Sequence, residues 1–160
     1  TYTYAAAKVS FPRAERELIR ALELNPQLSE AYASYGDVKW YYHWDWVGAE
    51  EAFKKALSIN SNYPEVHRWY SHLLLVLGRH QEAHQQIDVR IELKPTSPIM
   101  YFGKALIYLK ESNFDAAKEL GNRMVSLDSS YDKGLKILAQ SEFGLGDFDE
   151  SLRLANEGFA

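Results

Sequence analysis

Apolar residues recur along the chain at helical spacing in short bursts, and segments rich in glycine, proline and polar residues cut the bursts apart. Tyr70, Leu73, Leu74 and Leu77 form one stripe, and Tyr101, Ala105 and Tyr108 another, at steps that share one helix face. Tyr32, Tyr35 and Gly36 begin a stripe that breaks at Lys39, while Leu135, Leu138 and Ala139 begin one that breaks at Glu142. "LGRH" at 77–80, "ESNF" at 111–114 and "LGDF" at 145–148 supply turn chemistry between paired helices. "NP", "NSNYP" and "KPTSP" oppose helix continuation between pairs. The pattern predicts a chain of helical hairpins.

The hairpins repeat. "RAERELIRALELNP", "GAEEAFKKALSINS", "EAHQQIDVRIELKP" and "AAKELGNRMVSLDS" align, and they end at 26, 61, 95 and 129, giving spacings of 35, 34 and 34. A small residue recurs at Ala14, Ala49, Ala83, Ala117 and Ser151, and a large apolar one at Leu24, Ile59, Leu93 and Leu127. Small residues let paired helices approach, and bulky ones fill the space between adjacent hairpins. A single hairpin cannot bury its apolar faces, so the units must stack.

These residues resemble the tetratricopeptide repeat family, whose 34-residue unit carries small residues at positions 8 and 20, an aromatic near 17 and a proline near 32. Gly36, Ser71, Ala105 and Ala139 match position 8; Trp46, Phe114 and Phe148 match position 17, where His80 departs. Pro26 and Pro95 match position 32, whereas Ser61 and Ser129 do not. The resemblance implies an all-α fold, a right-handed α-solenoid of stacked antiparallel hairpins with a concave groove. It implies one domain over 1–160: a partial repeat at 1–28 keeping its second helix near Phe11 to Leu24, repeats at 29–63, 64–97 and 98–131, and a final hairpin from 132. The "AAAK" segment at 5–8 reads as a remnant of a missing helix, and the start at Thr1 and stop at Phe159-Ala160 as those of a fragment.

"YYHWDWVGAEEAF", Tyr41 to Phe53, lies in the unit that is one residue longer, with the extra residue expected around His43 to Asp45. Trp46 and Phe53 are expected to be core residues, and Asp45 to cap the following helix. Trp44 either covers the hairpin end or offers a contact to a partner.

A net charge of −4 provides no general field to attract nucleic acid or an anionic membrane. The absence of cysteine excludes disulfides and thiol catalysis and leaves the compartment open. The longest apolar run, Leu73 to Leu77, is too short to span a bilayer. "HQEAH", His80 to His84, pairs two histidines one turn apart, but Glu82 stands at the wrong place for a zincin and no third ligand is evident. No nucleophile elbow, Walker loop or glycine-rich phosphate turn occurs, and the pairs Glu50-Glu51 and Asp147-Asp149 sit where helix starts favour carboxylates. The expectation is a non-enzymatic segment without metal or cofactor.

In the tetratricopeptide family, first-helix positions 2, 5, 9, 12 and 13 face the groove. The resemblance therefore implies Ala33, Asp37, Trp40 and Tyr41, then Arg68, His72 and Leu75, then Phe102, Leu106, Leu109 and Lys110, then Lys133, Lys136, Gln140 and Phe143. Such a surface suits a peptide or protein with apolar side chains and an acidic portion; the alternative is that Trp40, Phe102 and Phe143 are covered by neighbouring helices. Ala33 and Asp37, Arg68 and His72, and Phe102 and Leu106 stand where chaperone-binding members place a carboxylate clamp, which is absent. Residues 20–83 also resemble the tetratricopeptide region of bacterial multidomain signalling proteins, among them ToxR/CadC-like winged-helix regulators. That resemblance implies a segment of a larger bacterial regulator or signalling protein, cytoplasmic or, in a membrane-anchored parent, periplasmic. The segment is expected to bind a protein partner; the alternatives are self-association of the parent through an open end of the hairpin stack, and a small-molecule or metal sensor using the histidines.

Overall fold

A computed structural model describes residues 4–158, with side chains from residue 10; Thr1 and the Phe159-Ala160 end, read above as fragment termini, lie outside the described residues. The described residues form α-helices only: α1 (Tyr4–Leu24), α2 (Ser29–Tyr41), α3 (Trp46–Ile59), α4 (Pro64–Val76), α5 (His80–Leu93), α6 (Pro98–Lys110), α7 (Phe114–Leu127), α8 (Asp132–Leu145) and α9 (Phe148–Glu157). The "AAAK" segment is not a separate element. It belongs to α1, which runs through Pro12 instead of starting near Phe11. The chain divides into two compact units between Gln86 and Ile87, inside α5.

In the unit ending at Gln86, α2 pairs with α3 through small residues. Ala49 and Ala56 are fully buried, and Gly36 lies so close to the buried Phe53 that a Cβ at 36 would stand 2.6 Å from the ring. Val66, Tyr70, Leu73 and Leu74 of α4 close the core with Ala83 of α5. In the unit beginning at Ile87, Tyr101, Ala105, Ala117, Met124 and Ile137 form the core shared by α6, α7 and α8, and Leu154 of α9 packs with Leu135, Leu138 and Ala139. Close approach recurs at Gly121, where a Cβ would stand 2.8 Å from Leu138, and at Ser151, whose hydroxyl donates to the Ala139 carbonyl at 2.8 Å. These antiparallel hairpins are of the α-solenoid class.

The turns inside the hairpins share one device. Trp44, Gly78, Ser112 and Gly146, spaced by 34, have φ of 58°, 73°, 58° and 91°. Directly after three of them, Arg79, Asn113 and Asp147 donate backbone N–H to the carbonyls of Leu74, Tyr108 and Glu142, closing a left-handed helix cap. In the α2–α3 turn Asp45 instead reaches one residue further back, to the Lys39 carbonyl at 2.9 Å. The extra residue is absorbed there without shifting the left-handed position. Asp45 caps α3 as expected: its Oδ1 accepts from the Gly48 amide at 2.9 Å, and its Oδ2 from the Lys39 ammonium at 2.8 Å.

Candidate functional site

In the unit beginning at Ile87, α6 and α8 project side chains into an apolar cleft of about 570 Å³. It is lined by Leu106, Leu109, Lys110, Phe114, Ala139, Gln140 and Phe143, with Ser151 and Ala155 of α9. Five of the expected groove residues, Leu106, Leu109, Lys110, Gln140 and Phe143, thus meet at one cleft. Phe143 is 65% exposed and meets Phe148 edge to face at 5.3 Å between ring centroids. Phe114 lines the cleft because Gly144 admits it: a Cβ at 144 would stand 2.4 Å from its ring. Lys110 and Gln140 are exposed at the rim, so the cleft joins an apolar floor to a cation and an amide.

The other expected residues of this unit do not line the cleft. Phe102 is partly buried against the core and carries the Lys133 ammonium 5.3 Å from its ring centroid. Lys136 is exposed and paired with Asp132 at 2.8 Å. Of the three lysines among the expected residues, Lys133 rests on an aromatic ring, Lys136 is held by a carboxylate, and Lys110 alone stands at the cleft.

In the unit ending at Gln86, Trp40 must be corrected. It is only 8% exposed and belongs to the core with Ala33, which is fully buried, so neither offers a surface to a partner. Tyr41, at 52% exposure, stacks over Trp40 with ring centroids 4.4 Å apart and is the aromatic that α2 presents to solvent. Asp37 is half-buried, and Arg68 donates from Nε to Glu65 at 2.8 Å while its guanidinium lies 5.3 Å from the Trp69 ring centroid. Burial raises the Asp37 carboxyl above its ordinary range, opposed by Arg68; Tyr41 is raised by burial and by Asp37. His72 and Leu75 are half-buried.

Trp44 is 75% exposed, which removes the reading that it covers the hairpin end. Trp46 is exposed at 37% and does not take the core place expected for the repeat aromatic, whereas Phe53 does. Trp69, which the groove positions pass over, lines a cleft with Asp37; its place beside Arg68 was a legible signal. Among the described residues no three His, Asp or Glu side chains converge as a metal site, and no helix is long and apolar enough to cross a membrane.

Residues 45–104 match a family model described as tetratricopeptide repeat. Over 157 residues the chain is 24% identical to the DnaJ homolog subfamily C member 7 homolog of Schizosaccharomyces pombe, covering 88% of this chain and 33% of that protein. It spans about a third of the length of that curated relative. Among solved structures, PilF of Pseudomonas aeruginosa superposes with a TM-score of 0.78 at 21% identity, covering 94% of this chain and 70% of that one. YrrB, described as a TPR protein with an unusual peptide-binding site, superposes with a TM-score of 0.66 at 17% identity, covering 96% of this chain and 78% of that one. The family model and these folds support the tetratricopeptide reading of the repeats. The resemblance to ToxR/CadC-like regulators finds no support in them.

Proposed function

We propose that this chain is a non-catalytic binding module that holds a peptide or protein segment against the first-helix faces, with the cleft of α6 and α8 as its principal seat. One observation carries the reading: residues that the tetratricopeptide resemblance places at groove positions, Leu106, Leu109, Lys110, Gln140 and Phe143, line a single apolar cleft of about 570 Å³. Its volume and apolar lining fit the size range of ligand sites, and an exposed aromatic at its edge supplies the kind of anchor that dominates interfaces. The occupant is an apolar side chain followed by a carboxylate or carbonyl, the first seated on Leu106, Leu109 and Phe143 and the second reached by Lys110. The occurrence of a described peptide-binding site in YrrB, which shares the fold, supports the class of partner. A parent protein of the bacterial signalling or regulator type, and a cytoplasmic or periplasmic setting, belong to this proposal through the wording of residues 20–83 alone.

Selection of random peptides on the full chain, followed by fluorescence anisotropy, tests it. Enriched peptides should pair an apolar residue with Asp or Glu, and should weaken about tenfold or more against Phe143→Ser and against Lys110→Glu. Peptides that bind both variants undiminished would refute the seat.

A second reading rests on Phe143, Phe148, Leu145 and Leu152, all exposed on α8 and α9. They make an apolar surface on which another copy of the chain docks. Light scattering separates the two: a dimer at micromolar concentration that Phe148→Ser dissociates favours self-association, and a monomer removes it.

A further inference from the structure

The unit ending at Gln86 has a cleft of different chemistry, of about 280 Å³, formed by α1, α2 and α4. Phe11 and Leu18 of α1, Val38 of α2 and Trp69 of α4 wall it, and Asp37 is the one charged residue among the described residues lining it. Oδ1 of Asp37 is buried and has no hydrogen-bond partner among the described residues. Buried carboxylate oxygens are ordinarily satisfied, so this one marks an acceptor awaiting a donor. Arg68 acts on Asp37 through space but does not supply that bond. Its Nε donates to Glu65 at 2.8 Å, and its guanidinium lies beside the Trp69 ring, 5.3 Å from the centroid.

We propose that this cleft takes the cationic side chain of a lysine or arginine from a protein partner. The Asp37 carboxylate accepts from its N–H groups, and Phe11, Leu18 and Trp69 cover its methylene stem. Three features select this occupant. The cleft is smaller than the sites that enclose whole small molecules, so it suits one side chain. Lysine and arginine combine an apolar stem with a charged head, which matches apolar walls around a single carboxylate. The aromatic wall adds attraction for a cation that an uncharged amide would not feel. The charge recognised is opposite to that sought by Lys110, and the two clefts lie in different units, so this inference stands independently of the α6–α8 seat.

The test is an NMR titration of the full chain with N-acetyl-lysine methylamide, N-acetyl-arginine methylamide and the neutral N-acetyl-norleucine methylamide, which keeps the four-carbon stem of lysine without the ammonium. The two cations should shift the amides of Ser34, Asp37 and Val38 and the indole N–H of Trp69, with about tenfold weaker binding for norleucine. Asp37→Asn should reduce cation binding about tenfold and leave the norleucine titration unchanged, and added salt should weaken only the cations. Equal binding of norleucine, undiminished lysine binding by Asp37→Asn, or absence of shifts would each overturn the proposal. The norleucine and salt comparisons use the unmodified chain and decide the matter even where the variant misfolds. Phe143→Ser, which tests the other cleft, should leave these titrations untouched.

Discussion

At Trp44, replacement by alanine should leave the protein less stable than replacement by glycine, reversing the order expected in a helix. Trp44 has φ of 58°, at the position where the sister turns carry Gly78, Ser112 and Gly146. Both variants delete the same indole, 75% exposed in the native chain, so its small packing contribution cancels in the comparison. What remains is the backbone. A Cβ in the left-handed region costs about 1–2 kcal/mol, and the greater freedom of glycine in the unfolded chain returns about 0.4–1 kcal/mol to the alanine variant. The difference should favour glycine by about 0.5–1 kcal/mol, or roughly 1–4 °C in Tm for a chain of this size. Urea unfolding followed by circular dichroism measures it directly, with equal m-values required for the comparison. An alanine variant as stable as the glycine one would refute the strained turn. If the order holds, the native tryptophan occupies a costly backbone position while exposing its indole, which is the signature of a side chain kept for contact and not for stability.

Further outcomes follow from the same packing and charge arguments. Gly78→Ala should cost about 1 kcal/mol although its Cβ would meet nothing within 4 Å, because the penalty lies wholly in φ of 73°; thermal unfolding would show it, and an unchanged Tm would contradict it. Gly36→Ala should destabilise by about 1–2 kcal/mol, overpacking against Phe53 exceeding the gain in helix propensity, and a Phe53→Leu background should relieve part of the loss. Burial pushes the Glu50 carboxyl up, but hydrogen bonds from Lys54, Arg79 and Tyr70 outweigh it and hold the group at about 2. Its folded pKa lies below the unfolded 4.5, so this stabilisation is present above pH 4.5 and lost as pH falls through about 2. Glu50→Gln should therefore cost about 2–3 kcal/mol in urea melts at neutral pH, with the gap narrowing below pH 4.5; a gap independent of pH would remove the ionic account.

The helices were legible because their signals are local or periodic. Small residues at Ala49, Ala83 and Ala117 are fully buried where close approach demands them, and Asp45 caps α3 through an acceptor that any sequence reading can place. The start of α1 was not legible, since Pro12 mimics a first-turn proline and the helix runs through it to Tyr4. The longer turn was visible as a spacing of 35, but its consequence was not. The insertion lengthens the backbone loop closed by Asp45 and keeps Trp44 in the left-handed position, so the extra residue changes which side chain is displayed, not the hairpin.

The binding surface was legible in part, and one repeat position shows the reason. Trp40, Leu75, Leu109 and Phe143 occupy the same place in successive first helices, at spacings of 35, 34 and 34. Trp40 is buried at 8% exposure, Leu75 and Leu109 are half-buried, and Phe143 is 65% exposed. Repeat register fixes the direction in which a side chain leaves its helix, and it is identical for all four. Exposure depends on the atoms opposite: Trp40 has Tyr41 stacked on it and the core of its own unit behind it, whereas Phe143 meets mainly the exposed ring of Phe148. The groove positions implied by the tetratricopeptide resemblance therefore nominate a binding residue, and the neighbours decide whether it is one. By that criterion α2 yields Asp37 and Tyr41 in place of Trp40, and α8 yields Gln140 and Phe143. An acidic cleft in one unit and a lysine-rimmed apolar cleft in the other thus arise from the same register through different neighbours.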